Sequence, residues 1–184
     1  GAKHQYISCN FTMTANGQTV FKPYVIKTYG SAKVAYIGIS DPQTISKSGA
    51  SFKNSDGSAA YSFADGSGGK KLYEAVQNAI DEAKAAGADY IVAIGHLSTT
   101  GDAAYTPKSV IENTTGIQAF IDGNTHTAIV GEKVKGADGA EALLTCAGAG
   151  LNNIGVLTIT AGKSISSQLV NSYRLRDIKT KDGI

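Results

Sequence analysis

Apolar positions along this chain recur with two periods, and the switching between them predicts alternating helices and strands. From Lys70 to Ala86, the residues Leu72, Ala75, Val76, Ala79, Ile80 and Ala83 recur at three- and four-residue steps. Such spacing places them on one face of a helix. Lys70, Lys71, Glu74, Asp81, Glu82 and Lys84 fall mostly on the opposite side, and Gly87 is placed to end the helix in a left-handed turn. Asp89 to Gly95, DYIVAIG, follows as a nearly continuous apolar run, the mark of a strand covered on both faces. Thr106-Pro107 joins an N-cap hydroxyl to a proline at the first helical position, which predicts a short helix ending near Thr114. Ile117 to Asp122 is then another short strand.

Ahead of these elements, Tyr6 to Asn10 reads as a short buried strand. Pro23 to Thr28 and Lys33 to Ser40 follow as two more, the second closed by Asp41-Pro42. The stretch from Asp41 to Gly69 is rich in Ser, Gly, Asp and Asn and carries Phe52, Tyr61 and Phe63. It predicts a long surface excursion, and loops of that length within a compact domain are often functional. From Thr127 the texture becomes hairpin-like, with turns at Gly136 to Gly139 and at Ala161-Gly162. A last alternating segment runs from Ser164 to Asp177, and residues 178–184 form a charged exit. The whole predicts an α/β fold with a mixed sheet and antiparallel strands near its C-terminal end. No internal repeat is present.

Composition narrows the function classes. The 184 residues are 42% hydrophobic and 17% charged, which is globular and not disordered. A net charge of +2 gives no ground for a nucleic-acid partner or an anionic membrane surface. No apolar run approaches the roughly 18 residues of a membrane span. Gly1 and Ala2 read as an addition ahead of the first strand. Cys9 and Cys146 form no CxxC, and two buried free thiols are favoured over a disulfide.

Candidate chemistry gathers at strand ends: Gly95-His96-Leu97-Ser98, then Asp122 through Thr127 (DGNTHT), then Cys146-Ala147-Gly148. Ligands of sheets built from βα units sit beyond the C-terminal ends of the strands. His96, Asn124 and His126 are therefore placed where they could converge. Neutral imidazole is the commonest protein ligand for divalent transition metals, and an amide oxygen is a weaker one. Two side chains at i and i+2 across a tight turn can reach two neighbouring ions. Taken alone, such histidines also fit a structural or surface role. His4 reads as a surface residue and Lys70-Lys71 as a solvated helix start, while Ser98 to Gly101 either borders a cleft or only turns the chain. The tyrosines are scattered and build no base-stacking platform.

Four blocks together carry more information than any one of them: KPYVIKTYGSAKVAYIGISDP, KLYEAVQNAIDEAKAAGADYIVAIGHLST, GIQAFIDGNTHT and LLTCAGAGLNNIGVLTIT. In this order and spacing, over about residues 4 to 176, they resemble the 5′-nucleotidase family of metallophosphoesterases. The resemblance implies half of a four-layer α/β/β/α sandwich, with residues 1–177 as the C-terminal half of the metallophosphoesterase domain. It implies two divalent metal ions (Zn, Mn or similar), a nucleotide or other phosphate ester as substrate, and an extracellular, cell-surface or periplasmic location. His96, in GHLS, matches a histidine that binds one metal. In the motif that supplies one ligand to each metal, Asn124 stands where the first histidine belongs and His126 matches the second. The family's nucleoside-binding part lies in a separate C-terminal domain.

Two departures from the family pattern bear on activity. The D-x-H, G-D and G-N-H-D/E motifs, with the bridging carboxylate and most other ligands, are expected upstream of Gly1. Asn124 also replaces a nitrogen donor by an amide oxygen. A fragment of a nucleotide phosphohydrolase, inactive by itself and with partial or no metal occupancy, is thus the first expectation. A non-catalytic domain that keeps the scaffold as a binding surface is the alternative, and a likeness in architecture alone is a third. A sheet without its partner would also expose an edge and an apolar face, which predicts self-association.

Overall fold

The computed structural model describes residues 4–48, 51–97, 102–160, 162 and 164–173. The strands in chain order are β1 (Thr12–Met13), β2 (Tyr24–Tyr29), β3 (Ala32–Ile39), β4 (Tyr61–Ser62), β5 (Tyr90–Gly95), β6 (Ala119–Ile121), β7 (Ala128–Lys135), β8 (Glu141–Ala147), β9 (Asn153–Thr160) and β10 (Ser164–Asn171). The helices are α1 (Thr44–Lys47), α2 (Lys70–Ala85) and α3 (Pro107–Glu112). A six-stranded sheet runs in the order β2-β3-β5-β6-β8-β7. Its four inner strands are mutually parallel, and β2 and β7 are antiparallel edges.

The two faces of this sheet are covered differently. On one, α2 and α3 bury Leu72, Val76, Ile80, Val110 and Ile111 against Ile37, Ile91, Phe120 and Leu144. Gly87 follows α2 with φ +88°, a left-handed conformation that suits glycine. Thr106 caps α3 by accepting the amide of Ser109 at 3.0 Å. On the other face, Val34, Val92 and Ala119 meet Leu157, Ile159 and Ile165 of the antiparallel β9–β10 hairpin. The hairpin covers only part of that face, since Ile94 of β5 remains 39% exposed. The mixed sheet and the C-terminal antiparallel strands agree with the expectation from the sequence.

Tyr6 to Asn10 is not a strand. Ile7 makes one isolated bridge to Lys22, and the next two amides bond to different partners: Ser8 to the carbonyl of Lys22 at 3.0 Å and Cys9 to that of Gly38 at 2.8 Å. The segment thus crosses strand ends instead of pairing along one strand. Gly38 permits this, because a Cβ there would collide with the Ile7 backbone. Asn10, fully buried, anchors the crossing. Its Nδ2 donates to the carbonyls of Ser40 and Phe63, both at 2.8 Å, and its Oδ1 accepts the Ser40 amide at 2.9 Å.

The excursion after Asp41 is less detached than its composition predicts. It contains α1 and β4, and β4 pairs with β1. Phe63 stacks on Phe11 at 4.4 Å between centroids, with Phe52 edge-on to both, which fastens the excursion to the N-terminal segment. Cys9 and Cys146 are both buried free thiols. The expected exit at residues 178–184 and the polar loop from Ser98 to Gly101 lie outside the described residues.

Candidate metal-site half at the strand ends

Parallel pairing brings the candidate residues to one end of the sheet. Ile94 of β5 is in register with Ile121 of β6, and Gly95 with Ile39 of β3. His96 therefore leaves β5 beside the point where Asp122 leaves β6. A Cβ at Gly123 would lie 3.4 Å from His96 Nδ1, so the turn after β6 passes directly against the imidazole. Asn124 Nδ2 donates to the His96 carbonyl at 3.2 Å, and the Leu97 amide donates to Asp122 Oδ1 at 2.8 Å. His126 sits two residues beyond Asn124 with φ +56°, where the chain turns towards β7. His96 and His126 are both exposed and Asn124 is half-buried.

Electrostatics here turn on Asp122. Burial raises its carboxyl above the ordinary carboxylate range, and the amides of Leu97, Gly123 and Asn124 oppose that shift without cancelling it. Among the described residues its second oxygen, Oδ2, is buried without a hydrogen-bond partner, as is Thr125 Oγ1. Two orphaned oxygens in one turn are unusual, because buried polar atoms are generally bonded. Beside His96 an open groove of about 600 Å³ runs over the uncovered sheet face, with Ile7, Val25, Tyr36 and Ile94 in its lining. His4, read from the sequence as a surface residue, is exposed and also lines it.

Two imidazoles suit a borderline divalent cation in kind. In number and placement the donors fall short of a two-metal centre. Among the described residues no three His, Cys, Asp or Glu side chains come together to hold an ion. Asn124 gives its amide nitrogen to a backbone carbonyl, which leaves only its amide oxygen, a weaker donor than imidazole, to face an ion. No catalytic step through a metal can be derived from these residues alone.

Solved structures share the fold. The calcineurin-like phosphoesterase YfkN from Bacillus subtilis matches with a TM-score of 0.68 at 22% identity, over 93% of this chain and 57% of that one. A 5′-nucleotidase precursor from Thermus thermophilus matches with a TM-score of 0.68 at 22% identity, over 94% of this chain and 35% of that one. The chain has the fold of the 5′-nucleotidase-type metallophosphoesterases. The sulfate thiohydrolase SoxB from Thermus thermophilus shares this metallophosphoesterase fold, at 20% identity and a TM-score of 0.67, over 92% of this chain and 28% of SoxB. The chain thus spans between about a quarter and three-fifths of the length of these relatives. Neither a protein-family model nor a curated protein matches the sequence.

Within the metallophosphoesterase fold the sequence located His96 and the Asn124 to His126 turn at strand ends. It named Asp122 and Gly123 only as part of the DGNTHT stretch and gave neither a role. An acidic residue leaving a buried strand just ahead of a glycine was the available signal. Its partner, the Leu97 amide, follows from the β5–β6 register, which only the structure supplies.

Proposed function

We propose that this chain is the C-terminal half of a metallophosphoesterase domain whose parent hydrolyses nucleotide phosphate esters with two divalent metal ions (Zn, Mn or similar). Residues 1–177 form the half-domain and 178–184 lead out of it. His96 and His126 are the donors this half contributes. The bridging carboxylate and the remaining ligands come from residues outside the chain, so the chain alone is inactive. A dinuclear centre of this kind clamps the phosphate and generates hydroxide from bound water.

One observation carries the reading: His96 and the turn bearing His126 leave two adjacent parallel strands at the end where such sheets bind ligands. The name of the 5′-nucleotidase precursor that shares the fold supports a nucleotide as the substrate class. The same relative supports an extracellular, cell-surface or periplasmic site of action. Among the described residues no helix is long and apolar enough to cross a membrane. The groove over Val25, Tyr36 and Ile94 is the face the missing half would cover, and in the isolated chain it is covered by self-association.

The deciding experiment supplies Mn²⁺ and a panel of nucleoside monophosphates to a longer chain that includes the preceding region of the parent. Phosphate release that is lost in His96→Ala and in His126→Ala is the expected outcome. A longer chain that releases none, with an intact fold, would favour the non-catalytic alternative. Asn124 in place of a histidine is the residue that speaks for that alternative.

A further inference from the structure

His96 is followed by a peptide group held at both of its polar ends. The carbonyl of His96 and the amide of Leu97 belong to one peptide, and in a trans peptide they point to opposite sides. Asn124 Nδ2 takes the carbonyl at 3.2 Å, and Asp122 Oδ1 takes the amide at 2.8 Å. Two side chains of one turn therefore bracket the peptide that carries His96 out of β5. A carbonyl only accepts, so the amide of Asn124 must face it with its nitrogen. Leu97, the residue beyond, is fully buried and pins the far side. Gly123, between the two brackets, has no side chain to push His96 Nδ1, which lies 3.4 Å from where a Cβ would be.

We propose that Asn124 is a positioning residue: with Asp122 it fixes the His96–Leu97 peptide, and so the His96 imidazole, and it does not act as a metal donor. The purpose of this bracket rests on the reading of His96 as a metal donor; its existence does not. An exposed imidazole has two free side-chain torsions. A fixed backbone sets the point from which the ring projects, and the missing Cβ of Gly123 leaves room for it beside the turn. Loss of a hydrogen-bonding group behind a metal ligand commonly weakens metal affinity by roughly 10- to 100-fold.

The two roles predict opposite outcomes for Asn124→Asp. A carboxylate is the stronger metal donor, but it has no hydrogen to give and meets the His96 carbonyl oxygen with a second acceptor. The experiment is NMR on the metal-free 184-residue chain. It follows exchange of the Leu97 amide and the imidazole nitrogens of His96 and His126, before a Zn²⁺ titration. Asn124→Ala and Asn124→Asp leave the Asp122 bond to the Leu97 amide in place and release only the other end of the peptide, so each is expected to speed Leu97 exchange by roughly two- to threefold. Both should shift the His96 ring signals and leave those of His126 in place, with the thermal midpoint little changed. Gly123→Ala should shift the His96 ring signals while Leu97 exchange stays as in the parent.

Zinc binding weakened in both Asn124 variants supports the positioning role. Zinc binding strengthened by Asn124→Asp, or His96 and Leu97 signals indifferent to Asn124→Ala, overturns it. If neither the parent chain nor any variant binds zinc, as an incomplete half-site can behave, the metal-free signals alone decide whether the bracket exists, and unmoved His96 and Leu97 signals overturn it.

Discussion

Gly95 lies against the ring of Phe120: a Cβ on Gly95 would sit 2.8 Å from both Cε1 and Cζ. Phe120 is the largest fully buried side chain and belongs to the core under α2 and α3. The residue before His96 is therefore set by the core. Gly95→Ala should force the ring or β5 to move, at a cost of about 1 to 3 kcal/mol in urea unfolding. Adding Phe120→Leu should recover part of that loss. A Gly95→Ala protein as stable as the parent would show that the contact does not constrain the strand.

Asn10 joins three parts of the chain through a buried side chain. Asn10→Ala leaves the carbonyls of Ser40 and Phe63 and the amide of Ser40 without it. Orphaned buried groups of this kind cost about 2 to 3 kcal/mol together. Limited proteolysis should then cut the stretch from Asp41 to Gly69 sooner than in the parent. Unchanged stability and unchanged cleavage would mean that the aromatic contacts of Phe11, Phe52 and Phe63 hold the excursion by themselves.

Burial pushes the Cys9 thiol up to about 12. Since the folded value lies above the unfolded one, the stability linked to Cys9 is intact below pH 9 and is lost as pH rises towards 12. Cys9→Ala should flatten that alkaline loss relative to the parent. Near neutral pH neither Cys9 nor Cys146 should react with an aromatic disulfide reagent until the protein unfolds, when both titrate. A thiol that reacts at once in native protein would contradict the burial found here.

The groove over Val25, Tyr36 and Ile94 predicts concentration-dependent association in sedimentation. Ile94→Lys, at a position already 39% exposed, should return the chain to monomer with little loss of stability. A parent that stays monomeric at high concentration and binds no apolar dye would show that the face is tolerated in water.

Helix α2 and strand β5 were legible in the sequence because their burial is periodic or continuous over many residues. The hairpin β9–β10 was legible from its alternation and its turn. Tyr6 to Asn10 was not, because an apolar run of that length does not say whether its amides meet one strand or two. His96 could be placed at a strand end from sequence alone. The Asp122 bond to Leu97 could not, since shifting β6 by one residue against β5 would bring different groups together.

Calorimetric titration of Zn²⁺ and Mn²⁺ into the 184-residue chain, beside His96→Ala and His126→Ala, tests the central claim most directly. The account predicts weak binding of fewer than two ions per chain, diminished in each histidine variant. Tight binding of two ions would show that the chain completes the centre by itself, and binding indifferent to both histidines would remove them from the site.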